Sequence, residues 1–179
     1  MHPTSGFTGT QITLSEACDP AMNDYFHRLL EHVFWADSHI LAVLDDSAAQ
    51  RTPAVMRLFS HVLAAERVWL LRLQGEDSSV QPIWPQLSLI ELKALAASNA
   101  DGYAEFMGDM HDADISADVV YANSQGVPFR NRVSDILTHV AVHGSYHRGQ
   151  IATAIRTSGG QPPNTDYIRF ARESEQDPT

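Results

Sequence analysis

A single cysteine in 179 residues, Cys18, allows no internal disulfide and no thiolate cluster for a structural zinc site. Basic residues are also scarce. The chain has 12 Lys and Arg against 22 Asp and Glu, a formal net charge of −10. That leaves no excess of cations to neutralise the phosphates of a general nucleic-acid ligand. The few that exist are scattered, with no run that would address a membrane surface. No apolar run approaches the ~18 residues needed to span a bilayer. The opening Met1-His2-Pro3-Thr4 lacks the basic region and apolar core of a signal peptide. These absences predict a cytoplasmic protein with neither nucleic acid nor membrane as partner. Catalytic signatures are missing too: there is no H-E-x-x-H, because Gly144 follows His143, and no Glu-x-x-His of a di-iron bundle. Phosphate-binding glycine loops and the G-x-S-x-G nucleophile elbow are also absent.

Apolar residues make up 44% of the chain and charged residues 19%, so a core is affordable and one domain is the simplest organisation. Residues 1–20 show no sustained period and read as an extended lead-in, ending near Pro20. From Met22 to Leu44, apolar residues recur at three-four spacing, the mark of an amphipathic helix. Pro53 opens a second helix that Gly75 stops. Ser88 and Glu91 form the capping box of a third, continued by Leu92, Leu95, Phe106 and Met110 with Tyr103 near its apolar edge. Val119, Tyr121, Val127 and Phe129 alternate around Asn123–Gly126 and predict a hairpin whose second strand Pro128 confines to an edge. A fourth long helix runs from about Arg132 to Thr157, stopped by Gly159 and Gly160, and a short one spans Thr165 to Arg172. The expectation is an all-α four-helix bundle over 21–173, with a small hairpin insert before the last long helix and a polar tail over 174–179. The connections at 45–53 and 111–131 suit antiparallel neighbours. Residues 74–87 can reach roughly 40 Å, enough for one crossover along the bundle.

The chemistry concentrates in His139, His143 and His147, spaced four apart and followed by Arg148, Gly149 and Gln150. On a helix, neighbours in this trio share a face about one pitch apart, and neutral imidazole is the commonest protein ligand for zinc-like cations. The outer two drift apart by roughly 80° around the axis, so two neighbours can meet one ion and a third ligand must come from elsewhere. His61, on the flank of the second helix's apolar stripe, is the best outside candidate. His27, His32 and His39 are weaker, and His2 and His111 read as exposed.

The string His139-Val-Ala-Val-His143-Gly-Ser-Tyr-His147-Arg-Gly-Gln-Ile151 closely resembles the C-terminal motif of the DinB-like metalloprotein family. Leu58–Leu70 resembles that family's second-helix motif, and Gly75-Glu76, Ile83-Trp84 and Pro162–Ile168 also fit. The resemblance implies an up-down-down-up bundle, often a homodimer, with one divalent metal, zinc or nickel being common. Carried over residue by residue, the ligands are His61, His143 and His147, with His139 near the site. Related branches are thiol-dependent S-transferases and isomerases acting on small molecules. Three neutral imidazoles would leave an open position able to acidify a bound water or to hold a thiol cosubstrate as thiolate. Three readings follow: thiol transfer or isomerisation, metal-assisted hydrolysis, or a protein that only binds metal or ligand. No catalytic residue is assigned. Asp135 is a candidate to orient His139, or simply a carboxylate favoured at a helix start. Tyr146, Arg148 and Gln150 sit beside the ligands. Arg148 could meet an anionic substrate, Glu66 or Asp166. Asp37 and Trp35 could border the pocket, Trp69 reads as packing, and Gly149 predicts close approach of another helix.

Overall fold

A computed structural model describes residues 22–123 and 125–176. The expected lead-in, Cys18, Pro20 and His2 lie outside the described residues. The described residues are mostly helical, with five α-helices and one small antiparallel hairpin: α1 Met22–Asp46, α2 Pro53–Leu73, α3 Leu89–Gly108, β1 Asp118–Ala122, β2 Pro128–Arg132, α4 Val133–Thr157 and α5 Tyr167–Gln176. Among the described residues, no helix is long and apolar enough to cross a membrane.

Local chemistry sets the boundaries. Thr52 caps α2, its hydroxyl accepting from the Val55 N–H, and Pro53 follows where a missing N–H is harmless. Gly75, at φ 74°, turns the chain so that the Glu76 N–H reaches the Leu71 carbonyl. Ser88 and Glu91 satisfy each other's backbone N–H groups at the start of α3. Gly159, at φ 81°, ends α4. The hairpin pairs Asp118 with Arg132 and Ala122 with Pro128, and Gly126 supplies the positive φ of its turn. Met110, expected in α3, lies just beyond it, and Tyr103 is fully buried rather than at an edge. Helix α5 continues past Arg172 to Gln176, into the stretch expected as tail; Phe170 anchors it against α1, and Arg169 pairs with Glu173 one turn on.

Polar contacts fix the directions of the long helices. The start of α1 meets the end of α3 through Asn23 and Met110, and its end meets the start of α3 through Asp45 and Lys93, so the two are antiparallel. Asn99 and Tyr103 donate in chain order to the carbonyls of Leu63 and Glu66, making α2 and α3 parallel. His61 lies beside His147 and Trp69 beside His139, so α2 and α4 are antiparallel. A parallel α2–α3 pair requires residues 74–88 to return along the protein. The connection does so, passing Ser78 at Arg72, Ile83 at His61 and Trp84 at Arg57. Helices α1 and α2 pack on α3 and α4 rather than chiefly on each other, so the short turn after α1 does not join side-by-side neighbours as expected.

The core consists of two apolar clusters. One gathers Phe26, Leu30, Leu70, Tyr103, Met107 and Ile136; the other gathers Ile40, Leu44, Phe59, Leu63, Leu92 and Ile151. Between them each long helix contributes a buried polar residue, Asp37 on α1, Glu66 on α2, Asn99 on α3 and Arg148 on α4. This cross-section of the core is where the candidate site lies.

Candidate metal centre

His61, near the middle of α2, faces the α4 turn that carries His143 and His147. One ring nitrogen from each lies within 4.8 Å of the others. The ring of His61 is 5.1 Å from that of His143 and 4.7 Å from that of His147, centre to centre. His61 is buried and the other two are half-buried, so the cluster opens to solvent on the α4 side. His139, one turn earlier, packs 5.2 Å from His143 and 5.0 Å from Trp69. It stands outside the converging trio, as its drift around the helix requires.

Two of the three rings have their tautomer set by an acceptor. A backbone carbonyl can only accept, so the 2.8 Å contact from His61 Nδ1 to the Ile83 oxygen places the proton on Nδ1. The Gln150 side-chain oxygen does the same for His147 Nδ1 at 2.8 Å. In both rings the Nε2 lone pair is left available, the form in which imidazole binds a cation. Burial pushes the His143 pKa down to about 4, helped by the neighbouring His147 and His61. Burial also lowers that of His61, against the hydrogen bond to Ile83. Imidazole nitrogen donors, oriented and gathered from two helices, are a chemically sound set for one divalent ion. On replacing Gln150 with Leu, metal affinity is expected to fall 10- to 100-fold, the usual cost of losing a residue that orients a ligand, while the helix stays folded. Competition with a chromophoric chelator measures it.

The wall over His61 comes from the connection before α3. The Trp84 indole stacks on the His61 ring at 3.7 Å and 7°, and the Arg57 guanidinium lies 4.4 Å from the other side of that indole. Sequence alone placed neither Ile83 nor Trp84 in the site by a physical argument; only their family-like pairing hinted at it.

The remaining candidates fall elsewhere. The Asp135 carboxylate accepts from the Arg132 N–H at the start of α4 and hydrogen-bonds no histidine among the described residues. Tyr146 is exposed, its ring edge-on to His147 at 5.1 Å. Trp35 is half-buried against His39 and Phe170, on the α5 side. His32 is buried and donates to the Thr165 carbonyl, and His39 donates to Trp35. Gly149 faces open space, so the expected close helix contact does not occur there. Of the two glycines within α4 the tighter is Gly144, where a Cβ would stand 2.9 Å from the Arg148 guanidinium.

Arg148 and Asp37 do not border the opening. They form an ion pair of 3.0 Å with side chains 2% and 3% exposed, behind the histidines. The ion-pair partner of Arg148 is Asp37, neither Glu66 nor Asp166. Glu66 completes the group. Burial, and then the Asp37 charge, raise its pKa well above the ordinary carboxyl range, and its proton is donated to Asp37. Asp37 Oδ2 and Glu66 Oε1, otherwise unpartnered, are the atoms this proton can join. One Arg thus faces one carboxylate and one neutral acid. A folded-state pKa raised in this way contributes stability that is complete below the unfolded value of 4.5 and lost as pH rises through the folded value. Glu66→Gln keeps the donor without the titration. Urea midpoints of wild type and variant are expected to agree within about 0.5 kcal/mol near pH 4.5. At pH 8 the variant should be the more stable.

The sequence matches the DinB family over residues 22–178. The chain belongs to the DinB family. Protein DinB of Bacillus subtilis (strain 168) is 24% identical over 162 residues, covering 82% of this chain and 93% of that protein. The histidines of this DinB-family protein therefore belong to a match that spans all the described helices.

Proposed function

We propose that this DinB-family protein is a metal-dependent enzyme of the thiol S-transferase or isomerase type, with His61, His143 and His147 as ligands of one zinc or nickel ion. The reading includes an up-down-down-up four-helix bundle, a homodimer, a small-molecule substrate and a thiol cosubstrate. The observation that carries it is three converging imidazoles with no carboxylate among them. Such a set leaves the ion's positive charge uncompensated and a position open, so a bound ion would favour an anionic ligand and hold a thiol as its thiolate. No carboxylate general base accompanies the trio among the described residues. A thiol, with a solution pKa near 8.5, needs base assistance far less than water does.

The chain's own groups have definite tasks in this scheme. Ile83 and Gln150 hold the Nδ1 protons of His61 and His147, keeping both rings aimed. Trp84 covers His61 on one side and excludes water there, leaving approach from the α4 side beside Tyr146. His139, next to His143 and free of the ligand set, is placed to take up or return a proton from a bound substrate.

Elemental analysis of untagged protein is expected to find close to one zinc or nickel per chain. Mixed with a small thiol and a panel of electrophiles, the loaded protein should consume free thiol. Ester cleavage without thiol loss would move the assignment to hydrolysis, and protein purified without stoichiometric metal would end both readings.

A further inference from the structure

Next to the histidines, but not lined by them, lies a cavity of about 300 Å³ between the first turns of α2 and the end of the long connection. Its polar groups are Arg57, Ser60 and Gln86; Met56 and Leu87 supply apolar wall, and the Trp84 indole closes one side. Ser60 is wholly buried, yet its hydroxyl has no hydrogen-bond partner among the described residues. A buried hydroxyl left without a partner costs about 1–3 kcal/mol, so its presence asks for a ligand that completes it. Arg57 is exposed and forms no ion pair among the described residues. Its Cζ lies 4.4 Å over the Trp84 ring, a contact that uses the face of a guanidinium and not its N–H donors.

We infer that this cavity is a binding subsite for the carboxylate of a small organic acid, received by Arg57 and Ser60 with Gln86 beside them. One cation matches a monoanion, and the fork of the guanidinium matches the two oxygens of a carboxylate. The apolar wall of Met56, Leu87 and Trp84 accepts the organic part next to it. The subsite and the histidine cluster share Trp84, whose indole has His61 on one face and Arg57 on the other. The same connection supplies the carbonyl that orients His61, so an occupant would touch the segment that shapes the metal centre. The inference does not depend on the metal reading.

Benzoate titrated into the isotope-labelled full-length protein tests it by nuclear magnetic resonance. Saturable shifts are expected at the Trp84 indole N–H and the Gln86 side-chain amide, and none with benzamide, which lacks the charge. Arg57→Gln, a change at an exposed side chain, should weaken benzoate at least tenfold, and Ser60→Ala several-fold. His147→Ala should leave the affinity unchanged. Shifts that persist in Arg57→Gln, that appear only at His143 and His147, or that fail to appear would overturn the subsite. Inorganic phosphate binding more tightly than benzoate would overturn the carboxylate assignment. The metal content of the same samples is read separately, so loss of the subsite and loss of the metal centre remain distinct results.

Discussion

Replacing Arg148 with Met is expected to destabilise the protein by about 3–5 kcal/mol, the cost of removing one partner from a buried ion pair. Met keeps most of the stem's packing, so the loss isolates the charge. With the guanidinium gone, Asp37 is a carboxylate 2% exposed with only the Glu66 proton for company. No other cation can replace it: Arg148 is the only buried Lys or Arg among the described residues. Urea unfolding at pH 7 measures the loss. Adding Asp37→Asn to the Arg148 variant should recover a large part of it, since no net charge then remains in the layer, and the double-mutant cycle gives the coupling directly. An Arg148→Met protein with the wild-type midpoint would mean that the layer between the two apolar clusters is not held by this pair. Because His147 precedes Arg148 in the chain, the same pair fixes the rotation of α4 about its axis and so the direction in which the ligand turn faces.

The helices were legible because their signals are local. Pro53, Gly75 and the Ser88–Glu91 box act within a few residues, and each ends or begins a helix where expected. The site was legible in part for the same reason. A four-residue step is a statement about one helix, and the drift of His139 away from His147 follows from helix geometry alone. His61 was reachable only as a candidate, since its height against α4 depends on how α2 and α4 run. What the sequence hid is what arises between distant segments. The carbonyl of Ile83 is 22 residues from the ring it orients, and Asp37 is 111 residues from Arg148. No periodicity marks either pairing. For Arg148 the sequence left an anionic substrate, Glu66 and Asp166 open as partners; the ion pair goes to Asp37 instead, because one residue of helix rotation past His147 turns the side chain inward. Gly149 and Gly144 show the same limit, since a glycine's neighbour cannot be read from its own helix. The proton shared by Asp37 and Glu66 required both the burial and the pairing.

Loss of His143 is expected to abolish metal binding while leaving the fold nearly intact. His143 sits at the centre of the group, its ring 5.1 Å from His61, 4.5 Å from His147 and 5.2 Å from His139. Its pKa of about 4 keeps it neutral, so protons do not compete with a cation at ordinary pH. The side chain is half-buried and makes no hydrogen bond among the described residues, so His143→Ala removes little that the fold relies on. Zinc at a hundredfold its dissociation constant should stabilise the wild type by about 2.7 kcal/mol, because it binds only the folded state. The variant should show no such increment, and its metal content should fall from near one per chain to near none. His139→Ala is the decisive companion: it sits on the same face of the same helix, one turn away, and should retain the metal in full. If it loses the ion and His143→Ala keeps it, the ligand turn is displaced toward the start of α4, and His61, which lies between His143 and His147, could not complete the site.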